Sequence, residues 1–218
     1  MINNCRRFAL SLLLGGCLFA CQRITDAITP GAALKSSSAA VPGALSSAPD
    51  SVQQLAPFIP AGYQLLATAN GDLNRDDLPD KVMVLQAIGA DTATTDPGPS
   101  RPLLLLLGQP GRRFQLAARN DHVVMCASCG GMMGDPFQRV VIKNGFFSVE
   151  HFGGSAWRWT SISTFKYDPA DKTWYLHREG GESFHASEPD KVITHMKTAR
   201  DFGRILFERY DSEARYGK

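Results

Sequence analysis

Between Gly71 and Asp80 the chain reads Gly-Asp-Leu-Asn-Arg-Asp-Asp-Leu-Pro-Asp, with Asp72, Asn74 and Asp76 at every second position and Asp80 four residues on. In a tightly wound loop this spacing aims several side-chain oxygens at one point, the donor set that a hard cation such as Ca²⁺ prefers. The same residues also suit a polar hairpin loop held by Asx-turns with no metal. An EF-hand is excluded: Met83 stands where the bidentate Glu belongs, and strand-like residues follow instead of a helix. A second candidate is the pair Cys126 and Cys129, separated by Ala127 and Ser128. That spacing serves thiol redox chemistry when a following helix N-terminus lowers one thiol pKa. Here Gly130-Gly131-Met132-Met133-Gly134-Asp135-Pro136 follows, a poor helix start with no β-α-β pattern around it. Zinc would need two further donors, and His122 is the one nearby candidate. The expectation is a structural disulfide, with redox activity as the alternative and metal binding a third.

The other chemical candidates are thinner. Gly153-Gly154-Ser155-Ala156-Trp157 lacks the final Gly of a nucleophile elbow. His151, His177, His185 and His195 show no metal-ligand spacing, and no catalytic residue is assigned. Trp157, Trp159, Trp174, Tyr167 and Tyr175 could form a platform for sugar or peptide edged by Arg158 and His177. Large aromatics also dominate β-protein cores, and the core is the favoured place for them.

These candidates need a scaffold, and the pattern from residue 51 onward is one of short strands between Gly, Asn, Asp and Pro clusters. Apolar runs fall at 63–68, 81–88, 103–107, 114–119, 139–142 and 146–152. Asn144-Gly145 between two of them is a strong signal for a type I′ hairpin. Residues 157–167 alternate, with Trp157, Trp159, Ser161, Ser163, Phe165 and Tyr167 on one face. Asp168-Pro169-Ala170-Asp171-Lys172 then turns into a strand over 173–177. Residues 201–210 fit a last strand or a short helix, and 87–100 a loop. No long helix is expected. The predicted fold is all-β, an antiparallel sandwich or a propeller-like sheet stack.

Ahead of that domain, Arg6-Arg7 precede an apolar run from Phe8 to Phe19, then Ala20 and Cys21. This is a secretory signal, too short at roughly a dozen apolar residues to span the ~20 a bilayer requires. Leu18-Phe19-Ala20-Cys21 resembles the lipobox of bacterial lipoproteins, which implies cleavage after residue 20 and lipidation of Cys21. Leu14-Gly15-Gly16-Cys17 fits the motif as well, so Cys17 is the alternative anchor. Gln22 in place of Asp resembles the pattern of lipoproteins sent to the outer membrane. Residues 21–50 are rich in Ala, Ser and Pro and read as a tether, leaving 51–218 as one globular domain. A net charge of +2 gives no electrostatic case for nucleic acid. The expected partners are the membrane, through the lipid, and an envelope protein or glycan.

The acidic segment resembles the Gly-Asp-Leu-Asn-x-Asp-Gly-x-x-Asp loops of FG-GAP and VCBS-like repeat proteins, where Ca²⁺ sits at a sheet edge. The resemblance implies Asp72, Asn74, Asp76 and Asp80 as side-chain ligands and Leu78 as a carbonyl ligand. The family's Gly is Asp77 here, a residue that tolerates the left-handed conformation at some strain. One copy is present, so the family's propeller is not carried over. The signal, this loop, the cysteine pair and the Gly-Gly-Ser-x-Trp-Arg-Trp strand together resemble a family of bacterial lipoproteins, from which no activity follows. The function expected is a non-enzymatic binding or accessory module, with a periplasmic thiol-disulfide protein as the alternative.

Overall fold

A computed structural model describes residues 53–90 and 98–216. Cys17, Cys21, the signal, the tether and residues 91–97 of the expected loop lie outside the described residues. Among the described residues nine strands run β1 (Tyr63–Gly71), β2 (Asp80–Ala87), β3 (Arg101–Gln109), β4 (Arg113–Val124), β5 (Phe137–Lys143), β6 (Phe146–Gly154), β7 (Trp157–Asp168), β8 (Thr173–His185) and β9 (Ile193–Thr198). They form two antiparallel meanders, β1-β2-β3-β4 and β5-β6-β7-β8-β9. The fold is all-β, two sheets over a shared core with no closed barrel among the described residues.

Two strands run apolar without alternation because both of their faces are covered. Val82 and Val84 of β2 and Leu103 and Leu105 of β3 enter the shared core with Phe147, Val149 and Phe165 of the larger sheet. Met83, Leu85, Leu104 and Leu106 point the other way and pack with Leu55, Phe58 and Ile59 around a 3₁₀ turn at Ala56–Phe58. Of the others, β6 alternates strictly and β7 in its buried half, while β9 is exposed throughout. In β7, Ser161, Ser163 and Phe165 are buried and Tyr167 packs on the core, as the alternation predicts. Trp157 breaks the pattern at 56% exposed.

Turn chemistry fixes the registers. Asn144 and Gly145 take φ of 55° and 74°, as a type I′ hairpin requires. Strand β8 continues well past the expected 173–177, through a bulge. Pairing steps from Phe165↔Leu176 to Thr164↔Arg178, so His177 is the extra residue, and His177 and Arg178 are both exposed.

Residues 201–210, expected as a last strand or a short helix, hold the end of one short helix, a single β-bridge at Leu206 and a 3₁₀ turn. A one-turn helix α1 (Ala199–Phe202) leads into extended chain, then a 3₁₀ turn at Phe207–Arg209 and helix α2 (Ser212–Tyr216). This segment packs against β4 and β8. Phe207 meets the stacked Phe147 and Phe165 edge-on, at 5.4 and 5.3 Å. Asn120 of β4 donates to the carbonyls of Phe207 and Tyr210, and the Ser163 and Tyr210 hydroxyls lie 2.5 Å apart.

Candidate functional site

The acidic loop joins β1 to β2 just beyond the pair Gly71↔Asp80. Carboxylate oxygens of Asp72, Asp76 and Asp80 lie within 4.8 Å of one another. The loop is wound by its own side chains. Asp72 accepts from the amides of Arg75 (2.5 Å) and Asp77 (3.2 Å), Asn74 from Asp76 (3.2 Å), and Asp76 from Leu78 (2.9 Å). Asp80, 1% exposed, accepts from Leu73 (2.6 Å) and Gly108 (2.8 Å), which ties the loop to β3. Asp77 sits at φ 64° and Arg75 at 66°, so left-handed backbone falls where the FG-GAP pattern has its Gly. Burial raises the Asp80 pKa; the two amide bonds oppose this, and the Asp76 and Asp72 charges add to it. Each carboxylate oxygen retains acceptor capacity after one amide bond, so the loop gathers negative charge that a cation would relieve. Arg75 turns away from this cluster, its Nη2 donating to the Asn144 carbonyl at 3.4 Å.

Cys126 and Cys129 are joined as a disulfide, with Cα atoms 5.1 Å apart. Cys126 is buried and Cys129 half-buried. The Cys129 sulfur lies 3.2 Å from a carboxylate oxygen of Glu213, and a 3₁₀ turn at Gly131–Met133 follows instead of an α-helix. A carboxylate beside a thiol disfavours the thiolate, the reverse of what a redox nucleophile needs. The third metal-capable group beside the sulfurs is Glu213, not His122.

Two buried charge-capable groups hold the segment that carries the disulfide. Arg101 of β3, 1% exposed, makes two 2.6 Å bonds to Asp135 and one of 2.9 Å to Gln86. His151 of β6 is 2% exposed. Its Nε2 accepts from the Met125 amide at 3.2 Å, and its Nδ1 has no hydrogen-bond partner among the described residues. Burial pushes its pKa down to about 4; Asp135 opposes the shift and Arg101 adds to it.

The aromatic residues do not gather into a platform. Trp174 is 1% exposed and packs in the core beside Tyr167, while Arg204 stacks over Tyr175 with its guanidinium 3.9 Å from the ring centre. What sequence reasoning missed is the outer face of the five-stranded sheet. The registers align Arg139, Glu150, Ile162, Gly180 and Met196 in one row across all five strands. A neighbouring row runs Ser148, Thr164, Arg178 and Thr198, and on the other side Glu182 pairs with Thr194. The first row, with Arg178, Glu182 and Thr194, lines a groove of about 660 Å³. Gly180, buried and without a side chain, sits midway between Arg178 and Glu182 on β8. A Cβ there would lie 2.4 Å from the His195 carbonyl and 3.0 Å from the Met196 sulfur, and one on Gly181 would lie 1.9 Å from the Thr160 carbonyl. The Gly-Gly pair inside an otherwise β-rich run was the available signal, since strand glycines mark close approach.

Fold and site together define an all-β protein of two meandering sheets, with a disulfide-pinned link between them and one sheet face left open. No family model, curated protein or solved structure matches the chain.

Proposed function

We propose that the protein is an envelope lipoprotein that works as a non-enzymatic binding or accessory module. Lipidation at Cys21, or at Cys17, would hold it at the outer membrane, and the 21–50 tether would present the domain to the periplasm. Two or more acyl chains give stable anchoring where one does not. The observation that carries the reading is the outer face of the larger sheet. Its rows of polar, charged and apolar side chains include Ile162 and Met196, exposed at 39% and 56%. Exposed apolar side chains grouped with polar ones are typical of surfaces that meet a partner. The acidic loop is proposed to hold calcium as a stabilising ion.

The alternative, a thiol-disulfide protein, is supported by the half-buried Cys129 and opposed by Glu213 beside it. One experiment separates the two. Palmitate labelling of the full chain should disappear in Cys21→Ala, or in Cys17→Ala if the anchor is there. The labelled protein should show no turnover when asked to reduce a model disulfide. Thiol turnover lost in Cys129→Ser would make the redox function the better description.

A further inference from the structure

On the outer face of the five-stranded sheet, Arg178 and Glu182 stand two strand positions either side of Gly180, so all three share that face. Four residues of strand place their backbones about 13 Å apart. Both side chains are exposed, and among the described residues no hydrogen bond or ion pair engages the guanidinium or the carboxylate. Their situation differs from that of the opposite wall, where Arg139 and Glu150 pair with each other at 2.8 Å. The floor between the free charges is aliphatic, made by Ile162 and Met196 with Gly180 contributing backbone alone. The groove therefore presents one cation, a slender apolar trough and one anion, in line along β8.

We propose that this groove binds a short extended peptide as a zwitterion. Its carboxylate pairs with Arg178, its ammonium with Glu182, and its alternate side chains lie over Ile162 and Met196. The backbone spacing sets the length: an extended chain advances at most about 3.3–3.6 Å per residue, so a tetrapeptide with free termini matches the separation of Arg178 and Glu182 along β8. Among the described residues no tryptophan or tyrosine lines the groove, and two unspent charges of opposite sign are not matched by a neutral sugar. The proposal rests on the binding-module function and supplies its ligand class.

The test uses the alternating tetrapeptide Ala-Leu-Ala-Leu with free termini, titrated into the isotopically labelled protein and followed by NMR. Shifts should be confined to residues around Arg178, Gly180, Glu182, Ile162 and Met196. The same peptide acetylated and amidated should bind at least about tenfold more weakly, as should Arg178→Glu and Glu182→Lys with the free peptide. Combining both substitutions should restore binding, because a zwitterion can lie in the opposite direction. Both sites are exposed, and unchanged spectra away from the groove would report an intact fold. The proposal is overturned by absence of shifts at millimolar peptide, by equal binding of the capped peptide, or by failure of the charge swap to rescue. Chitotetraose occupying the face in place of the peptide, or self-association of the protein through it, would overturn it too. Lipid labelling and thiol turnover do not involve the groove, so failure here leaves the lipoprotein proposal to its own test.

Discussion

Asp80 does two things with one carboxylate. It closes the acidic loop by accepting from Leu73 and Gly108, and it brings a third negative charge to Asp72 and Asp76. Burial is the main cause of its raised pKa, the two hydrogen bonds oppose it, and the repulsion of Asp76 and Asp72 adds to it. A divalent cation would reverse that sign by favouring the ionised forms. Extracellular calcium modules bind at about 10⁻⁴ to 10⁻³ M. At a Kd of about 1 mM, 5 mM calcium stabilises a folded domain by about 1 kcal/mol, or a rise of roughly 2–4 °C in melting temperature. We expect that rise in the parent and none in Asp72→Ala combined with Asp76→Ala, which spares the structural Asp80. A parent that shows no calcium-dependent shift in scanning calorimetry would make the loop a turn held by its amide bonds alone.

Among the elements, legibility in the sequence tracked how local the determining contacts are. Asn144-Gly145 announced its hairpin because a positive-φ pair is needed within the turn itself, and the buried half of β7 followed from alternation. Strand β9 left no such trace: all six of its residues are exposed, so neither face is marked by apolar side chains. The acidic cluster was readable from spacing within one loop, whereas the groove depends on registers across strands far apart in sequence. The Arg101–Asp135 contact is equally invisible, since it spans 34 residues and joins β3 to the link between the sheets. Its energetics are asymmetric, because Arg101 is 1% exposed and Asp135 is 41% exposed. Removing the acid strands a buried cation, at a cost of about 3–5 kcal/mol, while replacing the cation with an apolar residue of similar length is often close to neutral. Asp135→Asn should therefore lower the urea midpoint much more than Arg101→Met does. Equal losses in the two variants would mean that the ion pair does not anchor the link between the sheets.

For the molecule as a whole, the two sheets are joined covalently once, through residues 125–136, and His151 holds the start of that link to β6 through the Met125 amide. This makes the packing of one sheet on the other sensitive to a single proton. An imidazole whose Nε2 accepts a hydrogen bond must lose that bond on protonation, and its charge would then sit buried near Arg101. Its folded pKa of about 4 lies below the 6.5 of an exposed histidine. Between these values the unfolded chain binds more protons, so stability is full above about pH 6.5 and falls as the pH drops toward 4. The shift corresponds to about 3 kcal/mol once the group is fully protonated. Asp80 carries the opposite sign: its raised pKa favours the folded state as the carboxyl protonates, which offsets part of the loss at the acid end. The window from about pH 6.5 to 4.5 thus belongs mainly to the histidine, because His177 shares the direction of shift but stands exposed to solvent. His151→Gln keeps an acceptor for the Met125 amide and removes the titration. Urea unfolding of this variant should give nearly the same midpoint at pH 7 and pH 4.5, while the parent loses a clear fraction of its stability. Parallel losses in both proteins would place the acid sensitivity elsewhere in the fold.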